Sequence, residues 1–157
     1  MKPKSPPGLL LPNSEDLQKF HEQRIDMLEH LDGPVIALPT KYPDGYFVPQ
    51  HSHSRAQLLC ASQGVVLVTT EAGRWMIPGD HAMWIPAGVK HSVEIVGDVF
   101  MRSIYIAVDV ISGVPDHLHV VGLTDLMRCL IIDATSVDSI PEPGTRDALV
   151  IELILRD

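Results

Sequence analysis

Two stretches decide the fold: GYFVPQHSHSRAQLLCASQG, Gly45–Gly64, and GDHAMWIPAGVKH, Gly79–His91. Side chains two apart on a strand share a face, so His51 and His53 can point the same way. Ser54 and Arg55 suit a tight turn, after which Gln57 returns on the next strand. In the second stretch the Pro86, Ala87, Gly88 turn brings His91 to the start of a strand that can face the first pair. Three imidazoles with one added oxygen suit a divalent transition metal: Zn, Ni, Fe or Mn, chosen by geometry and supply. The same histidines can also bond to one another, to water or to an organic ligand with no metal present.

Outward from these stretches the chain keeps the same grammar. From Val35 to about Val121, short runs rich in β-branched, aromatic and leucine residues alternate with turn signals. The runs are Val35 to Leu38, Tyr46 to Val48, Gln57 to Ala61, Val65 to Thr70, Trp75 to Ile77, Met83 to Ile85 and Phe100 to Val108. Strands this short, spaced by turns such as Pro43-Asp44-Gly45 and Pro78-Gly79-Asp80, point to an all-β sandwich or barrel. A parallel α/β sheet needs helical patterns between its strands, and none occur.

The two ends read differently. Residues 1–12 are proline-rich and read as an arm. A short helix follows, capped by Asn13 or Ser14, striped by Leu17, Phe20 and Leu28, and broken at Asp32-Gly33-Pro34. The expected units are therefore an arm with a helix at 1–33, a barrel at 34–121 and a helical segment at 122–157. In the last of these, Thr124 can cap a helix carrying Leu126, Met127, Leu130 and Ile131. A second helix starts near Thr145 and is apolar on nearly every face, which suggests a partner chain.

Composition narrows the function. The chain has 157 residues and a formal net charge of −8, a poor match to a phosphate backbone. No apolar run reaches the roughly 18–20 residues that span a bilayer, so no membrane partner is expected. Cys60 and Cys129 lack CxxC spacing, which suits burial in a reducing, cytoplasmic setting. His81, His117 and His119 read as solvated or packing histidines, and Asp80 and Glu94 as exposed loop carboxylates. No convincing general base stands beside the three central histidines.

The two glycine-framed stretches resemble the paired motifs of the cupin family, G-x5-H-x-H-x3-E-x6-G and G-x5-P-x-G-x2-H-x3-N. The first fits from Gly45 to Gly64 with Gln57 in the glutamate position. The second fits at Pro86, Gly88 and His91, with one extra residue after Gly79 and Ile95 in the asparagine position. The resemblance implies a double-stranded β-helix, or jelly-roll barrel, with the C-terminal helices packed outside, and it names His51, His53, Gln57 and His91 as the metal set. Phe47, Trp84, Met101 and Tyr105 are candidate ligand-binding residues of the pocket wall.

The runs Pro49 to Leu59, Gly73 to Gly79, Ala82 to Val93 and Val120 to Ile131 are similar to the N-terminal sensor domain of AraC-type transcriptional regulators. In that subgroup glutamine commonly replaces the glutamate. The resemblance implies a barrel that senses a small-molecule effector and helices that form a homodimer. It also implies DNA binding only through a helix-turn-helix domain missing from this chain, so a chain cut from a longer regulator is expected. The alternative is a stand-alone metal-dependent cupin enzyme, a dioxygenase or isomerase acting on a small acid. Gln57 argues mildly against it, because a neutral amide leaves the ion's charge uncompensated.

Overall fold

The structure, a computed structural model, describes residues 17–30, 33, 35–108, 116–135 and 143–156, and the side chains of all of these except 17–22, 28, 62, 155 and 156. The expected arm at 1–12 and the cap at Asn13 or Ser14 lie outside the described residues, as do the side chains of the expected stripe Leu17, Phe20 and Leu28. The described elements are α1 (Leu17–His30), β1 (Val35–Tyr42), β2 (Phe47–His51), β3 (Ala56–Ser62), β4 (Val65–Thr70) and β5 (Gly73–Ile77). They continue as β6 (His81–Ile85), β7 (His91–Val96), β8 (Val99–Ile106), β9 (His119–Gly122), α2 (Asp125–Ala134) and α3 (Arg146–Arg156).

Two antiparallel sheets result, one in the order β1-β8-β3-β6-β9 and the other β2-β7-β4-β5. This is the all-β jelly roll that the alternating runs and turns imply. Turn chemistry holds the corners. Gly64 sits at φ +64°, and a Cβ there would come within 2.7 Å of Val99 Cγ2 and 2.9 Å of the Val96 carbonyl, so only glycine fits this corner.

The five-stranded sheet is buried on both faces. Its inner face joins the other sheet through Leu59, Ala61, Met83, Ile85, Val99 and Met101, packed with Val66, Val68, Ile77, Val93 and Ile95. Its outer face carries Leu58, Cys60, Ala82, Trp84, Ile104 and Ile106, and lies under Met127, Leu130 and Ile131 of α2 and Val150, Ile151 and Ile154 of α3. Each such large apolar side chain contributes roughly 1.5–3 kcal/mol on burial, so the helices are fixed to the barrel by the hydrophobic effect. Thr124 caps α2 as its sequence suggests, its Oγ1 accepting from Met127 N at 3.0 Å. The faces of α2 and α3 turned away from the barrel leave Leu126, Ile132, Leu149 and Leu153 exposed.

Candidate functional site

The site forms where β2, β3, β7 and β8 meet at one end of the barrel, beneath α1. His51 ends β2 and His91 opens β7, and the two pair directly across the strands after a register shift between Val48 and His51. That irregularity re-aims His51 relative to the strand before it. His53 lies in the short connection to β3, and Gly88 N donates to its carbonyl at 2.9 Å. Gly88 itself has φ +82°, a left-handed conformation that suits glycine. The turn in the second motif is thus tied to the histidine pair in the first.

One ring nitrogen from each of His51, His53 and His91 lies within 4.8 Å of the other two. The remaining nitrogens are committed. Nδ1 of His51 faces the Pro49 carbonyl at 2.8 Å, Nδ1 of His53 that of Arg55 at 2.7 Å, and Nδ1 of His91 that of Val89 at 2.9 Å. A carbonyl oxygen only accepts, so each Nδ1 carries the hydrogen and each Nε2 presents a lone pair when the ring is neutral. Orientation by a second-nitrogen hydrogen bond is the usual support for a metal-binding imidazole. Nε2 of His91 is buried with no hydrogen-bond partner among the described residues, an orphan that a metal ion or ligand would satisfy.

Gln57 is buried, its Oε1 3.0 Å from His53 Nε2 and its Nε2 donating to Ser103 Oγ at 2.8 Å. In this arrangement two acceptors face each other, which calls for a shared metal ion or a second proton on the ring. With neither, the amide is satisfied by turning over, its NH2 donating to His53 and the Ser103 hydroxyl donating to Oε1. The three ring nitrogens that converge here fit a divalent transition metal, and Gln57 Oε1 lies beside them.

Burial disfavours the charged forms of His51 and His91. Burial pushes His91 down to about 3, helped by the neighbouring His51. Burial also lowers His51, with the charges of His53 and Arg24 adding to it. Desolvation raises the phenols of Tyr42 and Tyr105, so both are neutral hydrogen-bond donors at pH 7.

Met101 and Tyr105 line the cavity, the Tyr105 ring meeting that of His53 edge-on at 5.2 Å between centroids. Phe47 and Trp84 do not line it. Phe47 is exposed on β2, and Trp84 points to the outer face of β6, under the C-terminal helices. His117 and His119 lie near each other at the start of β9, away from the cavity, and Asp80 and Glu94 form surface ion pairs with Arg128 and Arg74. Sequence reasoning passed over the polar cavity residues Arg24, Thr40, Tyr42 and Ser103. Arg24 comes from α1, and nothing in the chain marks which of that helix's charges turns inward.

The HTH-type transcriptional regulator NimR of Escherichia coli (strain K12) is 31% identical over 84 residues, covering 54% of this chain and 30% of that protein. The chain thus spans under a third of the length of that regulator. The structure of unsaturated fatty acid bound wild-type ToxT from Vibrio cholerae superposes with a TM-score of 0.58 at 6% identity, over 80% of this chain and 53% of that one, a likeness of fold. A cupin superfamily protein from Desulfitobacterium hafniense is similar at a TM-score of 0.46 and 18% identity, over 48% of this chain and 70% of that one. The family described as the AraC-like ligand binding domain matches residues 33–154, which take in the barrel, the three histidines, α2 and α3 as far as Ile154. By that match this chain is a member of the AraC-like ligand binding domain family.

Proposed function

We propose that this chain is the effector-sensing and pairing part of a bacterial transcription regulator acting in the cytoplasm. The observation that carries the reading is the buried cluster of His51, His53 and His91, set inside a domain of a ligand-binding family. His51, His53, Gln57 and His91 would hold a divalent metal, Zn, Ni, Fe or Mn. When bound, it supplies a Lewis-acidic anchor for a small molecule. Met101 and Tyr105 form part of the wall around that molecule.

The route from cavity to partner runs through the five-stranded sheet. Gln57, Ser103 and Tyr105 face the cavity, while Leu58, Ile104 and Ile106 on the same strands support α2 and α3. A ligand that alters the inner face can bias how the helices pack, provided its affinity differs between the two arrangements. Two copies would pair through the exposed leucines of α2 and α3, and DNA would be bound by a further domain outside this chain.

Sedimentation equilibrium tests this on the chain as it stands, metal-stripped and metal-loaded, across a panel of small molecules. A ligand that binds the cavity and shifts pairing affinity supports the sensor. Cavity ligands that leave pairing unchanged in both metal states would overturn it.

A further inference from the structure

The cavity holds a cation that meets no carboxylate among the described residues. Arg24 reaches into it from α1, its Nη2 donating to Thr40 Oγ1, while its Nη1 is buried with no hydrogen-bond partner among the described residues. No aspartate or glutamate is among the described residues that line the cavity, which apart from Arg24 are apolar side chains, hydroxyls, an amide and the histidines. Arg24 is half-buried, and a guanidinium N–H shut off from water is costly unless it meets an acceptor. Here the orphan Nη1 shares the cavity with the orphan Nε2 of His91. The two unsatisfied groups have complementary appetites, since Nη1 needs an acceptor and His91 Nε2 needs a donor or a metal ion.

We propose that the cavity binds a small carboxylate, its anionic end bonded to Arg24 and its remainder directed toward the histidine cluster. The inference rests on reading this cavity as the effector site and names the chemical class it takes. Charge gives the sign, because an anion neutralises the guanidinium at short range in a low-dielectric setting. Volume gives the size. The cavity measures about 40 Å³, room for a molecule of roughly three or four non-hydrogen atoms when one water needs about 10–15 Å³. Formate and acetate fall in that range and glycolate lies just beyond its edge, whereas a long acyl chain or an aromatic acid is far larger.

The location of Arg24 also gives binding a structural effect. Arg24 lies on α1, which is joined to the barrel rim at its far end by the Glu29 carboxylate accepting from Ser54 N at 2.8 Å. An anion held by Arg24 inside the barrel adds to the attachments that Glu29 and the Arg24–Thr40 bond already make, so ligand occupancy and docking of α1 rise together.

The test titrates sodium acetate, formate, hexanoate and sodium sulfate into the 157-residue chain, followed by ligand-observed NMR and thermal denaturation. Acetate and formate should bind and raise Tm, and hexanoate and sulfate should not. Arg24→Gln should weaken acetate at least ~10-fold and Arg24→Lys, which keeps the charge, should recover part of it. Metal uptake by the histidines checks that both variants are folded. Equal acetate affinity in Arg24→Gln, or sulfate binding as well as acetate, would overturn the proposal. Failure of acetate to bind while another ligand shifts chain pairing would overturn the carboxylate site and leave the sensor reading intact. Acetate bound through Arg24 with pairing unmoved by any ligand would support the carboxylate site and overturn the sensor.

Discussion

His51 and His91 face each other across β2 and β7, ring centroids 4.3 Å apart, and each donates its Nδ1 hydrogen to the carbonyl two residues before it. The two rings are thus held by matching local bonds while sharing one space. Such paired, pre-oriented lone pairs bind a cation without reorganisation. Replacement of either histidine by alanine is expected to lower metal affinity on the order of 100-fold, since loss of a mere supporting partner already costs 10–100-fold. Metal content after dialysis, with competition by a chromophoric chelator, measures it.

Gln57→Glu should act in the opposite direction. A carboxylate beside three neutral imidazoles compensates the charge that the amide leaves bare, so metal affinity should rise at least ~10-fold, or ~1.4 kcal/mol. The same variant without metal should be less stable than the parent, because position 57 is only 3% exposed and a carboxylate there is taken out of water. Urea denaturation of both forms, with and without Zn²⁺, separates the two effects.

Acid should unfold the metal-free chain through its buried imidazoles. His91 titrates near 3 in the folded state and His51 below its ordinary value, both chiefly because burial disfavours the charged ring. Unfolded, both return to about 6.5. Between these limits the unfolded chain binds more protons, so this contribution is complete above pH 6.5 and shrinks as pH falls toward 3. His91 alone sets a slope of at most about 1.4 kcal/mol per pH unit. His91→Gln should flatten the fall in stability between pH 6.5 and 4, as followed by urea midpoints.

Leu149 and Leu153 lie one helical turn apart on α3, 55% and 44% exposed. If the C-terminal helices join two copies, the double variant Leu149→Glu, Leu153→Glu should be monomeric at concentrations where the parent pairs. Its Tm at low concentration should stay close to the parent's, since the residues that hold α3 to the barrel are Val150, Ile151 and Ile154. Sedimentation velocity gives the first result and calorimetry the second.

The barrel and the histidine cluster were legible because both depend on local signals: period-two alternation, turn glycines, and two imidazoles spaced to share a face. The pocket wall was less legible. β6 is buried on both faces, Met83 and Ile85 inward and Ala82 and Trp84 outward, so the strand reads as a continuous apolar run and its inner face is hidden. Phe47 belongs to a strand whose register shifts before His51, which separates its position from that of the histidines. Arg24 was invisible for another reason. A charged residue on a helix is ordinarily solvated, and only tertiary placement of α1 over the cavity turns it inward.

The two-sided burial of β3 has a consequence for how this gene can change. Odd positions, Gln57, Leu59 and Ala61, face the interior, and even positions, Ala56, Leu58 and Cys60, face the helices. Substitutions at either set alter one face at a time, so ligand preference and helix packing can drift separately. A one-residue insertion or deletion within the strand would exchange the two sets, placing Gln57 under the helices and an apolar side chain among the histidines. β3 is therefore open to changes of spelling and closed to changes of length, and a scan of single-codon indels along it should recover no folded product.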